Sequence, residues 1–211
     1  MLRRELLVST LAVALLSTTT LGAWAAQSDN KGDPYDWVLT LSNQVLDRIK
    51  SDPSLRNGDI GAINQLVDQV IMPDVDFAMV TRMTVGPKWR QASAEERQQL
   101  QDAFKQLLIR VYSGALAQVT DHVCELSPTR NRAVEDEMVI RTQLKSASKP
   151  PIAMDYRIYR NKAGEWKIVD VNVEGVWMVE NYRTQFSSVL NQDGIPGLIR
   201  DLKARAEQPA Q

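Results

Sequence analysis

The chain holds few side chains able to do chemistry. His122 is its one histidine and Cys124 its one cysteine. A site built on several imidazoles or thiolates, as zinc centres are, is therefore excluded. No Gly-x-Ser-x-Gly elbow presents a nucleophile, and no glycine-rich loop is placed to cradle a phosphate. Gly194-Ile195-Pro196-Gly197 reads as a helix-breaking turn. Acidic residues group at Asp74 with Asp76 and at Glu135, Asp136 and Glu137. They lack the flanking spacing of a calcium loop and read as solvated surface charge. Asp155 and Asp170 would serve as general bases only if a cavity buried them, and strand alternation turns Asp155 away from the apolar face. Cys124 lies between Val123 and Leu126 and reads as a small buried hydrophobe. A lone thiol closes no internal disulfide. No catalytic residue, metal or cofactor is expected.

What the chain has instead is apolar bulk that is flexible or aromatic. Met138, Met154, Met178, Tyr112, Tyr156, Trp177, Tyr182 and Phe186 fall on faces that should converge. A filled core accounts for them. A cavity lined by adaptable methionines would read identically, and pattern alone does not separate the two.

The elements that must position these residues follow from periodicity. Pro34, with Asp33 as cap, opens a helix carrying Val38, Leu41, Val45 and Ile49 and ending near Ser51-Asp52-Pro53. A second helix begins near Asp59, with Ile60, Ile63, Val67, Val70 and Ile71 on one face, and Pro73 ends or bends it. A short helical stretch around Val75–Met83 stops at Gly86-Pro87. Ser93-Ala94-Glu95-Glu96 is a capping box for the longest helix, roughly Ala94 to Val119. Its stripe is Leu100, Phe104, Leu107, Leu108, Val111, Tyr112, Ala115, Leu116 and Val119.

From Val123 the period becomes twofold. Val134, Met138, Ile140, Thr142 and Leu144 alternate with polar residues, as do Ile152, Met154, Tyr156 and Ile158. Asn161–Gly164 makes a hairpin turn into a strand from Trp166 to Val173, whose alternation slips near Asp170 as a β-bulge would make it. Helix returns from Val176 to about Asn191, breaks at Asp193-Gly194, and resumes over Ile195–Ala206. This order is α+β: a bent antiparallel sheet whose apolar face is covered by helices.

The N-terminus reads as an export signal. Arg3 and Arg4 precede an apolar run from Leu6 to Leu16, and small residues stand at Ala23 and Ala25. Ser17-Thr18-Thr19-Thr20 cut the run short of the roughly 20 residues a membrane anchor needs. Residues 1–25 are thus expected to be cleaved near Ala25, leaving a flexible leader over 26–33, one domain over 34–206 and a frayed tail over 207–211. No lipobox cysteine follows the signal, and the mature chain is expected to be soluble. The chain of 211 residues carries a net charge of −1, without the basic stripe that nucleic acid demands.

Several separated motifs resemble the MlaC family, also called the toluene-tolerance auxiliary family. They are Val75-Asp76-Phe77; Gly86-x-x-Trp89-Arg90-x-Ala92-x-x-Glu95-x-Arg97; Leu107-Leu108 with Tyr112; Asp155-Tyr156-Arg157; Gly164 to Val171; Val173-Glu174-Gly175-Val176; and Asn181-Tyr182-Arg183-x-Gln185-Phe186. The likeness runs from about Tyr35 to Lys203. Trp177 departs from the serine usual after Glu-Gly-Val, and Leu100 from the usual phenylalanine.

The resemblance implies an NTF2-like sheet packed on a long helix (about 93–206), a helical subdomain (about 34–92) and a deep apolar pocket. It further implies a periplasmic carrier of diacyl phospholipid, moving between an outer-membrane MlaA–porin complex and an inner-membrane MlaFEDB transporter and so maintaining outer-membrane lipid asymmetry. Acyl burial contributes about 0.8 kcal/mol per methylene, so releasing roughly 30 of them bare into water would cost on the order of 24 kcal/mol. A pocket must offset most of that. On this reading its lining is Leu108, Tyr112 and Leu116 of the long helix, with Met138, Ile140, Ile152, Met154, Tyr156 and Ile158 of the sheet. Val171, Val173, Val176, Trp177, Met178, Tyr182 and Phe186 would close it. Arg141, Lys145, Arg157, Arg160 and Lys167 fall on or near the polar sheet face, as solvated charge first and a docking surface second. The alternative function is an NTF2-like enzyme, or a binder of another hydrophobic small molecule.

Overall fold

The computed structural model describes residues 29–128, 133–134 and 136–208. The expected signal peptide lies outside the described residues, as do 26–28 of the leader and 209–211 of the tail.

Helix α1 (Pro34–Ser51) starts where the cap dictates. The Asp33 carboxylate accepts the amides of Tyr35 at 2.8 Å and Asp36 at 3.1 Å. Asp52 ends it and caps α2 (Pro53–Arg56) through the Ser54 amide. Helix α3 (Ile60–Leu66) runs into a π-helical turn over Val67–Ile71 and a 3-10 turn over Met72–Asp74. Helix α4 (Phe77–Val85) is capped by Asp76, and a 3-10 turn over Gly86–Gln91 follows.

Asp76 is therefore not merely solvated charge. It accepts the Met79 amide at 2.9 Å and the Tyr159 hydroxyl at 2.6 Å, tying α4 to the sheet. Asp74 is buried. Residues 29–33 are tied in as well, since the Trp166 amide donates to the Asn30 carbonyl at 2.7 Å.

Ser93 and Glu96 form the expected capping box of α5 (Ala94–Leu116). It ends short of Val119: the amides of Gln118 and Val119 fold back as a turn onto the carbonyls of Ala115 and Leu116.

Among the described residues there are six strands: β1 (Val123–Leu126), β2 (Ala133–Val134), β3 (Glu137–Lys145), β4 (Ile152–Arg160), β5 (Trp166–Val173) and β6 (Val176–Trp177). They pair antiparallel in the order β1-β3-β4-β5-β6, with β2 also on β3. The slip near Asp170 is real. Ile158 pairs with Ile168 but Arg157 with Asp170, leaving Val169 as the extra residue. Val176 and Trp177 form the last strand rather than the first helical turn, and α6 (Met178–Glu207) follows. It bends at Gly194, whose φ of 66° an L side chain would resist.

Three apolar cores result. One joins α4, α5 and α6 around Phe104, whose ring meets Tyr182 at 5.1 Å and Phe186 at 5.3 Å, edge-on. The second packs Trp37, Val38 and Leu41 of α1 onto Met138, Ile140, Tyr156, Ile158 and Ile168 of the sheet. The third gathers α2, α3 and one side of α5 around Ile63 and Ile109.

Candidate apolar ligand cavity

A cavity of about 250 Å³ lies where the three cores meet. The π-turn and its approach supply Ile63, Val67, Ile71 and Met72. The segment entering α4 supplies Val75, Phe77 and Val80. Leu108, Ile109, Tyr112 and Leu116 of α5 face them, and Ile168 and Val171 of β5 with Met178 of α6 complete the wall. Tyr112 is 41% exposed, and Lys105, held to Asp68 at 2.8 Å, lies two turns before it on the same helix. These two mark the side that meets solvent.

Of the residues expected to line a pocket, Leu108, Tyr112, Leu116, Val171 and Met178 stand on this cavity. Met138, Ile140, Tyr156 and Ile158 do not, because α1 covers that sheet face; Met154 packs against the same core. Even the polar atoms there are used, with Ser42 of α1 donating to the Tyr156 hydroxyl at 2.9 Å. Burial pushes that phenol's pKa up. Ile152 is half-buried opposite Leu144. Tyr182 and Phe186 fill the helical core. Val173 and Val176 are exposed, Val176 by 56%, and β6 is a short strand at the edge of the sheet. Trp177 does not line the cavity: its ring lies 4.5 Å from the Arg157 guanidinium.

Periodicity did not assign the wall built by α3, the π-turn and the approach to α4. Its signal was present in the stripe of Ile63, Val67 and Ile71, which reads equally well as helix core. A π-turn is rare and recurs at functional sites, but no residue pattern announces it.

Among the described residues Asp170 is the one carboxylate on the cavity, and it is 4% exposed. One oxygen accepts the amides of Val171 at 2.9 Å and Val179 at 3.0 Å, and the other faces Arg157 at 3.5 Å. Burial raises its pKa above the ordinary carboxylate value, against the pull of those amides and the guanidinium. Asp155 is raised as well, mainly by desolvation. Among the described residues no cluster of three or more His, Cys, Asp or Glu is placed to hold a metal.

The polar sheet face is largely neutralised from within. Lys145 pairs with Glu125 at 2.6 Å, Lys167 with Glu165 at 3.5 Å and Arg157 with Asp170, while Arg160 lies over the Trp166 ring at 4.6 Å.

The α+β architecture thus encloses a mainly apolar cavity whose one carboxylate, among the described residues, is held by two amides and a guanidinium, an arrangement suited to a hydrophobic ligand. The chain belongs to the MlaC family, whose family model matches residues 39–204. It is 24% identical over 178 residues, 83% of each chain, to the intermembrane phospholipid transport system binding protein MlaC of Haemophilus influenzae. It is 25% identical over 195 residues to the toluene tolerance protein ttg2D of Pseudomonas putida, covering 92% of this chain and 84% of that one. A phospholipid-binding protein from Ralstonia solanacearum, solved in complex with a phospholipid, superposes with a TM-score of 0.78 at 39% identity. That match covers 85% of this chain and 100% of the other. No described helix is long and apolar enough to cross a membrane.

Proposed function

We propose that this chain is a periplasmic phospholipid carrier, exported by a signal peptide cleaved near Ala25, that takes acyl chains into the cavity at the meeting of its three cores. The observation that carries the reading is the predominantly apolar lining of that cavity, in a chain 39% identical to a protein solved with a phospholipid bound. The tails insert between α5 and the π-turn, and the head group stays at the solvent side by Tyr112 and Lys105. The carrier would shuttle between the outer-membrane MlaA–porin complex and the inner-membrane MlaFEDB transporter, maintaining the asymmetry of the outer membrane.

At about 250 Å³ the cavity is smaller than the roughly 300–1,000 Å³ typical of sites for drug-sized ligands, and two acyl chains exceed such ligands. Loading therefore requires the wall to move. The π-turn over Val67–Ile71 is the element best suited to it, since one shift of hydrogen-bond register would re-aim Val67 and Ile71 together. The rival reading, an NTF2-like enzyme, would need Asp170 as its base. The amides and the guanidinium that hold its oxygens argue for the carrier instead.

Organic extraction of protein purified from cells, followed by mass spectrometry, tests the proposal. About one phospholipid per chain is expected. A lipid-free spectrum from correctly folded protein would defeat it.

A further inference from the structure

A second concavity, of about 920 Å³, lies between the end of α4, the 3-10 turn and α6, and shares no residue with the apolar cavity. It is built largely from Gly86–Arg97 and Arg183, which stand in motifs that the carrier reading leaves without a task. Arg82, Lys88, Arg90, Arg97 and Arg183 line it, and among the described residues no acidic side chain does. Among the described residues none of these five enters an ion pair. The contrast with the sheet face, where Lys145, Arg157 and Lys167 each have a carboxylate, is direct.

Three of the five are positioned by backbone. Arg183 donates to the Met83 carbonyl at 2.9 and 2.6 Å, Arg97 to the Trp89 carbonyl at 3.3 and 3.2 Å, and Lys88 to the Leu190 carbonyl. These carbonyls lie near the ends of α4 and the 3-10 turn and one turn before the bend of α6, where helical partners run out. That explains where the three side chains point. A carbonyl dipole does not cancel a full charge, however, and exposed Arg82 and Arg90 add two more.

We infer that this cleft is a docking site for an acidic segment of a protein partner, with carboxylates arrayed around an apolar side chain. Met83, Val85, Pro87 and Leu190 supply apolar surface for that side chain, and the tethered guanidiniums are already ordered, which lowers the entropy lost on binding. A bilayer surface has no protrusion to fill a concavity, so an anionic membrane is the poorer occupant.

The test rests on the proposed shuttle, which supplies the partner. Binding of the full mature chain to the reconstituted inner-membrane transporter, in nanodiscs of phosphatidylcholine, is measured by surface plasmon resonance across a salt series. The variant is Arg82→Glu with Arg90→Glu, chosen because neither residue holds one of the three tethering bonds. It should bind about tenfold more weakly, chiefly through a slower on-rate and with a flatter salt dependence, while its phospholipid content stays unchanged. Equal binding by variant and parent overturns the inference, as does no binding by the parent. Sedimentation of the parent with phosphatidylglycerol vesicles that the variant loses also overturns it, in favour of a membrane. A parent chain free of phospholipid that still docks through the cleft sinks the carrier reading and leaves this one standing.

Discussion

The Asp170 carboxylate accepts the Val179 amide at 3.0 Å, so a strand residue caps the helix that begins eight positions further on. Trp177, at the N-cap position of α6, provides no side-chain bond of its own. The bulge at Val169 makes the contact possible by placing Asp170 beside Arg157 rather than one residue out of step.

Replacing Asp170 with alanine leaves the amides of Val171 and Val179 without that acceptor and should cost about 1–3 kcal/mol, read from urea unfolding. Asparagine keeps one acceptor and should cost less. Because the folded carboxyl titrates above its ordinary value of 3.8, its contribution favours the fold fully below that value and fades as pH rises through the folded pKa. Asp170→Asn should remove that component from a plot of stability against pH.

The sheet face and the cavity should respond differently to charge. Ile158→Asp buries a carboxylate beneath α1 and should cost more than about 4 kcal/mol. Tyr112→Asp, at the exposed rim, should cost about 1 kcal/mol yet lose most co-purifying phospholipid. Thermal melts and lipid extraction check both. Loss of co-purifying phospholipid by a stably folded Ile158→Asp protein would place Ile158 on the lipid site rather than beneath α1.

Amides of Val67–Met72 should exchange hydrogen several-fold faster in delipidated protein than in lipid-loaded protein, while those of β3 and β4 stay unchanged. Hydrogen exchange with mass spectrometry reads this directly. Equal rates in the π-turn would mean that another wall moves.

Asp121 gives a second, opposite pH effect. It accepts from the Ser146 hydroxyl at 2.7 Å and the Ala147 amide at 2.8 Å, which lower its pKa from 3.8 to about 2. The tie between these two loops is present above the ordinary value and lost as pH falls through about 2. NMR of the Ala147 amide should follow that titration, and Asp121→Asn should abolish it.

Caps and periods make most of the elements legible in the sequence. Asp33, Asp59 and the Ser93–Glu96 box set helix starts, and twofold alternation exposed β3, β4 and the bulge. Which apolar face covers which was not legible. Met138, Ile140 and Ile158 announce that the sheet is covered, but Trp37 and Val38 of α1 satisfy them as well as an acyl chain would. The stripe of Leu108, Tyr112 and Leu116 was placed on the cavity, yet its opposing wall came from Val67 and Ile71 because a π-turn lies between. Val176 was read as helical, since two strand residues after a tight turn are too few to show a period.

The site where the three cores meet resembles a boundary between grains in a metal more than a hole drilled through one crystal. Each grain has its own buried centre, and the seams are bridged by Val75, Val45 and Val70, each packed against two of the three. If cargo widens that boundary, the bridging contacts are the ones exchanged, so a carrier of the proposed kind would trade core-to-core contact for contact with the tails while Phe104, Ile140 and Ile63 stay buried within their own grains.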